Sequence, residues 1–205
     1  MTVKKPLDAS ASELFKAFLC RYGVNEPELW EHLLQVLELR DYARDQHIIR
    51  AGETPTHFFV ILSGLVRYYY ASPQGKHWNK AFFHEGEMVG SLSAYLKGQP
   101  CTYNIEVLEQ SRLVAVPLQI FTRQQGRSLQ MQGMLNKVTR EIMLRNEARE
   151  ALLLTCNSEE RYRWLQENES WLLARVPQYQ LASYLSMDAV SFSRIKRKLG
   201  CWQSL

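Results

Sequence analysis

Ser193, Arg194 and Arg197 fall on one face of a short segment late in the chain, with Ala189 and Val190 one turn before them. An arginine there can donate two parallel hydrogen bonds to guanine, and a serine can bond a base edge or a phosphate. Small side chains at the start of such a helix permit close entry into a major groove. The residue types therefore suit the reading of DNA. Val190 cannot accept from cytosine, but it can pack on a thymine methyl. Gln178, Tyr179, Ser191 and Arg197 stand where phosphate contacts would be made. Tyr179 has an equally plain account as a packing residue.

These side chains need an element to hold them. Phe192, Ile195 and Leu199 lie at i, i+3 and i+7 on the opposite face, so the segment is expected to be a helix packed on one side. Before it, Leu181, Ala182 and Leu185 give a second short helix an apolar face, and Pro177 suits its first position, where no N–H is needed. Ser186, Met187 and Asp188 form the break, with Asp188 placed to cap the following helix through its side chain. The pair reads as a helix–turn–helix.

Charge agrees with this reading. The 205-residue chain has a formal net charge of +4. Arg175, Arg194, Lys196, Arg197 and Lys198 oppose only Asp188 from residue 175 onward, so the whole excess lies in this segment and residues 1–174 sum to zero. Phosphate neutralisation would use such an excess. The plainer account is a solvated basic helix, and the helix–turn–helix pattern weighs against it.

Hydrophobic residues make up 46% of the chain and charged residues 22%, as in an ordinary globular protein of one large or two smaller domains. No apolar run approaches the ~20 residues of a membrane span, and the N-terminus lacks the apolar core of a signal peptide. The cytoplasm is the expected compartment. Cys20, Cys101, Cys156 and Cys201 show neither metal-ligand nor redox spacing and read as reduced, small apolar residues. No carboxylate pair, nucleophile–base set or phosphate-binding glycine loop is evident, so no enzyme, metal or cofactor is expected.

From about Tyr42 to Val116, short strands alternate with turn residues. Phe58–Leu62 is an apolar strand closed by Ser63-Gly64, and Ser72-Pro73-Gln74-Gly75-Lys76 is a hairpin turn. An antiparallel sandwich or barrel follows from this spacing. Further on, Met131, Leu135, Val138, Ile142, Arg145 and Leu152 follow a heptad-like seam on a long helix. The seam can pair with a second copy or pack within its own chain. Arg145 interrupts it, with Glu141 and Glu147 in reach. Thr155–Ser158 reads as a hinge. The expected class is α+β: an N-terminal antiparallel β-roll of jelly-roll type, a long dimerisation helix and a C-terminal helix–turn–helix. The expected domains are 1–125, 126–156 and 157–205.

In that order the chain resembles the cAMP receptor protein/FNR (Crp/Fnr) family of bacterial transcription regulators over nearly its whole length. I-I-R-A-G-E at 48–53, F-F-V-I-L-S-G-L-V at 58–66, G-E-M-V-G-S-L at 86–92 and V-S-F-S-R-I-K-R-K-L at 190–199 carry the resemblance, together with the long helix. It implies a homodimer on a two-fold symmetric promoter site, an effector in the β-roll, and RNA polymerase as a partner. Ser91, Leu92, Cys101, Thr102 and Tyr103 would line the effector pocket. Ser91, Cys101 and Thr102 stand where cyclic-AMP-binding members carry glutamate, arginine and serine. A phosphate without its arginine is poorly held, so cyclic AMP is not expected and the effector is unknown. The recognition set of glutamate, serine and arginine becomes Val190, Ser193 and Arg194, which implies a different half-site. Only Cys20 lies where the oxygen-sensing branch places an iron–sulfur cluster. The haem-binding branch would draw on His47, His57, His77 or His84, whose plainer account is hydrogen bonding at the surface. The family's wing after the recognition helix is expected to be missing, with Cys201 and Trp202 tucked beneath the helices. The competing reading is a ligand- or protein-binding β-roll whose helix–turn–helix no longer serves DNA.

Overall fold

The computed structural model describes residues 3–124 and 128–200. Strand β1 (Val3–Lys5) leads to helices α1 (Ala9–Arg21) and α2 (Pro27–Leu34). Asp8 caps α1 by accepting from the Ala11 N–H at 2.8 Å. Strands β2 (Glu38–Tyr42), β3 (His47–Ile49), β4 (His57–Ser63), β5 (Val66–Ala71), β6 (His77–Phe83) and β7 (Met88–Val89) follow. Helix α3 (Leu92–Lys97), strands β8 (Asn104–Val107) and β9 (Ser111–Pro117), and helix α4 (Leu118–Gln124) complete the first half. The rest is helical: α5 (Leu129–Thr155), α6 (Ser158–Asn168), α7 (Trp171–Arg175), α8 (Gln178–Tyr184) and α9 (Ala189–Gly200).

The strands make two sheets, β1-β2-β9-β4-β7 and β3-β8-β5-β6. β4 lies against β9 antiparallel from His57↔Pro117 to Ser63↔Arg112. Its residues Phe58–Ile61 are buried, as the apolar run at 58–62 requires. Beside it, β2 is easily missed in the sequence because only Leu39 and Tyr42 of its five residues are buried. Two glycines are forced by close approach. Gly64 has φ 111° and a methyl there would overlap Ser111; Gly90 has φ 151° and a methyl would overlap the Phe58 ring.

Two compact units result. One is the chain up to Tyr68 with Phe82–Arg140; the other is Tyr69–Ala81 with the chain from Glu141 onward. The second unit therefore takes in the tip of the β5–β6 hairpin. The expected boundary between 125 and 126 lies outside the described residues, as do Cys201 and Trp202 and whatever follows Gly200.

In the first unit, α1, α2, β4, β9, α4 and the start of α5 meet around an apolar cavity of about 10 Å³ lined by Phe15, Leu33, Val60, Phe121, Met131 and Met134 among others. That volume is at the limit for one water, and apolar walls offer it no partner. This packing corrects the expected dimer seam. Met131, Leu135, Val138 and Leu152 are all buried within the protomer, while Ile142 and Arg145 are half-buried. A heptad-like repeat marks the face a helix buries but not what covers it. The large apolar side chains that α5 leaves exposed lie on another face: Leu129 at its start, then Met143 (59%), Leu144 and Leu154 (77%).

Candidate nucleic-acid interface

The helix–turn–helix forms from α8, a turn over Leu185–Asp188, and α9. Pro177 is the residue before α8 and Gln178 is its first, one place later than the sequence suggests. The turn is tight: Met187 N–H donates to Ala182 O at 2.9 Å, and Ser186 adopts the left-handed region at φ 54°. Asp188 caps α9 twice. Its Oδ1 accepts from the Ser191 N–H at 2.8 Å and its Oδ2 from the Ser191 hydroxyl at 2.6 Å. These bonds, first the side-chain one, hold the Asp188 carboxyl below its ordinary range. Ser191 is thus engaged in the cap, and its one hydroxyl hydrogen is directed to Asp188 rather than outward as a phosphate donor.

Phe192 is fully buried and meets the Tyr162 ring edge-on at 5.3 Å, fixing α9 on α6. With Phe192 inward, Ala189, Val190, Ser193, Arg194 and Arg197 are exposed together; Val190 is 66% exposed although apolar. Gln178 is exposed and Tyr179 is 64% exposed at the start of α8. The basic residues do not act alike. Lys198 is drawn to Glu159 of α6 at 2.7 Å, and Arg163 shares the same carboxylate at 2.9 Å. Arg194 and Arg197 remain on the outward face.

The residues expected to line an effector pocket separate. Ser91 is fully buried and caps α3 by accepting from the Ala94 N–H. Cys101 is buried, its thiol donating to Tyr103 O at 3.1 Å. Tyr103 is buried and stacked on Tyr68 at 5.1 Å, with Phe83 at 4.5 Å on Tyr68. Leu92 is half-buried and Thr102 exposed. The Tyr68 hydroxyl accepts from Gly90 N–H at 2.5 Å and donates to Gly90 O at 2.9 Å. Tyr103 Oη also reaches Gly90 O, at 3.4 Å. Two tyrosines therefore occupy the glycine turn, a feature that no local pattern in the sequence announces. Lys97 is the only cation from Gly86 to Tyr103, and it is exposed. These residues do not fit a cyclic nucleotide phosphate.

A separate polar cavity of about 110 Å³ lies where Arg40 meets His57. Arg40 Nη2 donates to His57 Nε2 at 3.2 Å, while His57 Nδ1 pairs with Thr56 Oγ1 at 2.7 Å. Arginine can only donate, so Nε2 accepts and the proton sits on Nδ1. His47 lies 3.9 Å from Glu106, and burial, more than that carboxylate, keeps its pKa below the ordinary value. His84 neighbours Glu85 and Glu87, and His77 rests against the Tyr69 ring. No group of three His, Cys, Asp or Glu side chains is arranged as metal ligands among the described residues. No helix among them is long and apolar enough to cross a membrane.

Residues 39–127 match the cyclic nucleotide-binding domain family. Comparison with curated proteins gives no match. Solved structures give many. FixK2 from Bradyrhizobium japonicum is 20% identical, with 82% of this chain and 86% of that one aligned at a TM-score of 0.73. A protein from Eubacterium rectale assigned to the Crp/Fnr family of transcriptional regulators is 14% identical over 90% of this chain and 88% of its own, TM-score 0.71. The c-di-GMP responsive global regulator CLP of Xanthomonas campestris is 17% identical over 86% and 92%, TM-score 0.68.

Proposed function

We propose that this chain, which has the fold of the Crp/Fnr regulators and carries the cyclic nucleotide-binding domain within it, is a transcription regulator that reads DNA as a homodimer. The observation that carries the reading is the outward face of α9. Phe192 is buried, and the small residues, serine and two arginines opposite it stand exposed above a capped N-terminus. A helix so arranged enters a major groove with its first turns toward the bases. Arg194 donates to guanine, Ser193 to a base or phosphate, and Val190 packs on a thymine methyl. Gln178, Tyr179 and Arg197 bond the backbone and fix the register.

The exposed strip of α5 supports two-fold pairing of copies. Met143, Leu144, Ala148, Ala151 and Leu154 recur at helical spacing and are all exposed. An apolar strip along a helix is the kind of surface a second copy covers. The protein works in the cytoplasm, on promoters bound by RNA polymerase. A β-roll that merely binds a ligand or a protein would give no reason for the polar face of α9 beside its cap.

The test is selection of genomic DNA fragments by the purified chain, at low and near-physiological salt, with Arg194→Ala alongside. The expected result is a palindromic motif that the variant loses. Binding that is only salt-sensitive, without a motif and unchanged in the variant, refutes the reading.

A further inference from the structure

Helix C-termini expose carbonyls that have no partner within the helix. Two such ends meet in the second unit, at the close of α5 and of α8, and one side chain serves both. Arg161, in the first turn of α6, donates through Nη2 to Leu153 O at 2.8 Å and through Nε to Cys156 O at 2.9 Å. Its Nη1 donates to Leu185 O at 3.1 Å. The need at α5 has a local cause. Asn157 N–H, which would continue the helix onto Leu153 O, is turned to Glu160 Oε2 at 2.7 Å in the capping box that starts α6. The freed carbonyl is the one Arg161 takes. A cation at two negative helix ends is also favoured by their dipoles.

A second arginine repeats the arrangement one residue away. Arg149 of α5 donates to Tyr184 O at 2.6 Å and to Asn79 O at 3.0 Å, with its guanidinium 4.6 Å from the Tyr184 ring centre. Consecutive carbonyls, Tyr184 and Leu185, are thus held by arginines from two different helices. Those carbonyls end α8 and open the turn into α9. The point where the recognition helix departs is fastened to the end of the long helix.

We infer that Arg161, supported by Arg149, is a positioning residue that sets the angle of α9 on α5, and so the half-site spacing that a dimer accepts. This rests on the regulator reading above. A dimer gains from engaging two half-sites only when its geometry lets both bind at once. A planar fork that reaches three carbonyls fixes an angle, whereas a lysine ammonium at the same place keeps the charge and loses the fork.

The experiment uses full-length wild type, Arg161→Lys and Arg149→Lys. The probes are the motif the wild type selects, the same motif with its halves moved apart or together by one and two base pairs, and a single half-site. For Arg161→Lys, half-site affinity is expected to stay within about twofold of wild type. Affinity for the native spacing should fall by roughly tenfold and the spacing preference should flatten. The salt slope should not change, since a lost phosphate contact would lower it by about one. A variant that keeps the sharp spacing optimum overturns the inference, as does one whose half-site and operator affinities fall together. If Arg161→Lys does not fold, Arg149→Lys is read on the same probes by the same criteria. A wild type that selects no symmetric motif refutes the regulator reading itself, a different outcome from either.

Discussion

At the scale of single residues, the outcome turns on where polar groups go once they are buried. Serine, arginine and aspartate at 188–197 could be read from spacing because a cap and a helical face are local. Tyr68 could not, because its partner Gly90 is 22 residues away and only the folded sheets bring them together. Arg161 is a similar case, since a charged residue in an amphipathic helix looks solvated until the ends of two other helices arrive. Tyr68 offers a sharp test. Phenylalanine keeps the ring and its stack but removes the hydroxyl that Gly90 N–H donates to, while Gly90 O keeps Tyr103 Oη. A part-buried N–H that loses its partner costs about 1–3 kcal/mol at most. Tyr68→Phe should therefore lower Tm measurably while leaving the salt slope of DNA binding unchanged. Burial holds the Tyr68 hydroxyl well above its ordinary pKa. Folding thus favours the protonated phenol. Its contribution is complete below the unfolded value near ~10 and is lost as pH rises from there toward the folded one. Burial also raises the pKa of Tyr42, Tyr162 and Tyr184, so an alkaline unfolding titration should show a destabilisation above ~10 that is smaller, not absent, in Tyr68→Phe.

Elements show both what periodicity reveals and where it stops. Strands β4, β5, β6, β8 and β9 lie where turn residues placed them, because Gly and Pro punctuate a chain whatever lies around it, whereas β1, β2 and the two-residue β7 carry no such signal. The long helix was equally legible as a helix, yet the face its repeat picked out at Met131, Leu135 and Val138 is the one packed in its own chain. Burial by one's own β-roll and burial by a second copy leave the same pattern in sequence. Exposure separates them: Met143 and Leu154 face out on α5 where the repeat gave no signal. If that strip is the dimer surface, Met143→Glu should place a like-charged residue in an apolar seam and shift the protein to monomer. Sedimentation velocity at micromolar concentration should show half the mass of wild type, with the circular dichroism spectrum unchanged. Half-site binding should persist and operator binding weaken as the two-site gain is lost. A fully dimeric Met143→Glu would move the interface elsewhere.

For the whole molecule, the question is which signal its two halves answer to. The segment from residue 175 onward holds all the excess charge; Lys198 is paired with Glu159, as is Arg163, and Arg194 and Arg197 are exposed. The β-roll side has the cyclic nucleotide-binding fold with its glycine turn already bonded to Tyr68 and Tyr103 and with no arginine between Gly86 and Tyr103. For a ligand to shift an equilibrium it must bind one state better than the other. A nucleotide at this turn would first have to displace the Tyr68 hydroxyl from both bonds and separate a stacked aromatic pair, with no charge-assisted bond gained in return. Operator affinity should accordingly be full in the purified protein and unmoved by cyclic AMP or cyclic GMP at millimolar concentration. The Tm should be equally unmoved, because a ligand at a hundred times its Kd would add about 2.7 kcal/mol. Fluorescence anisotropy on the selected operator and a thermal melt, each with and without nucleotide, decide the point. A tighter operator complex together with a raised Tm would mean that the tyrosines yield and that the turn still serves a ligand.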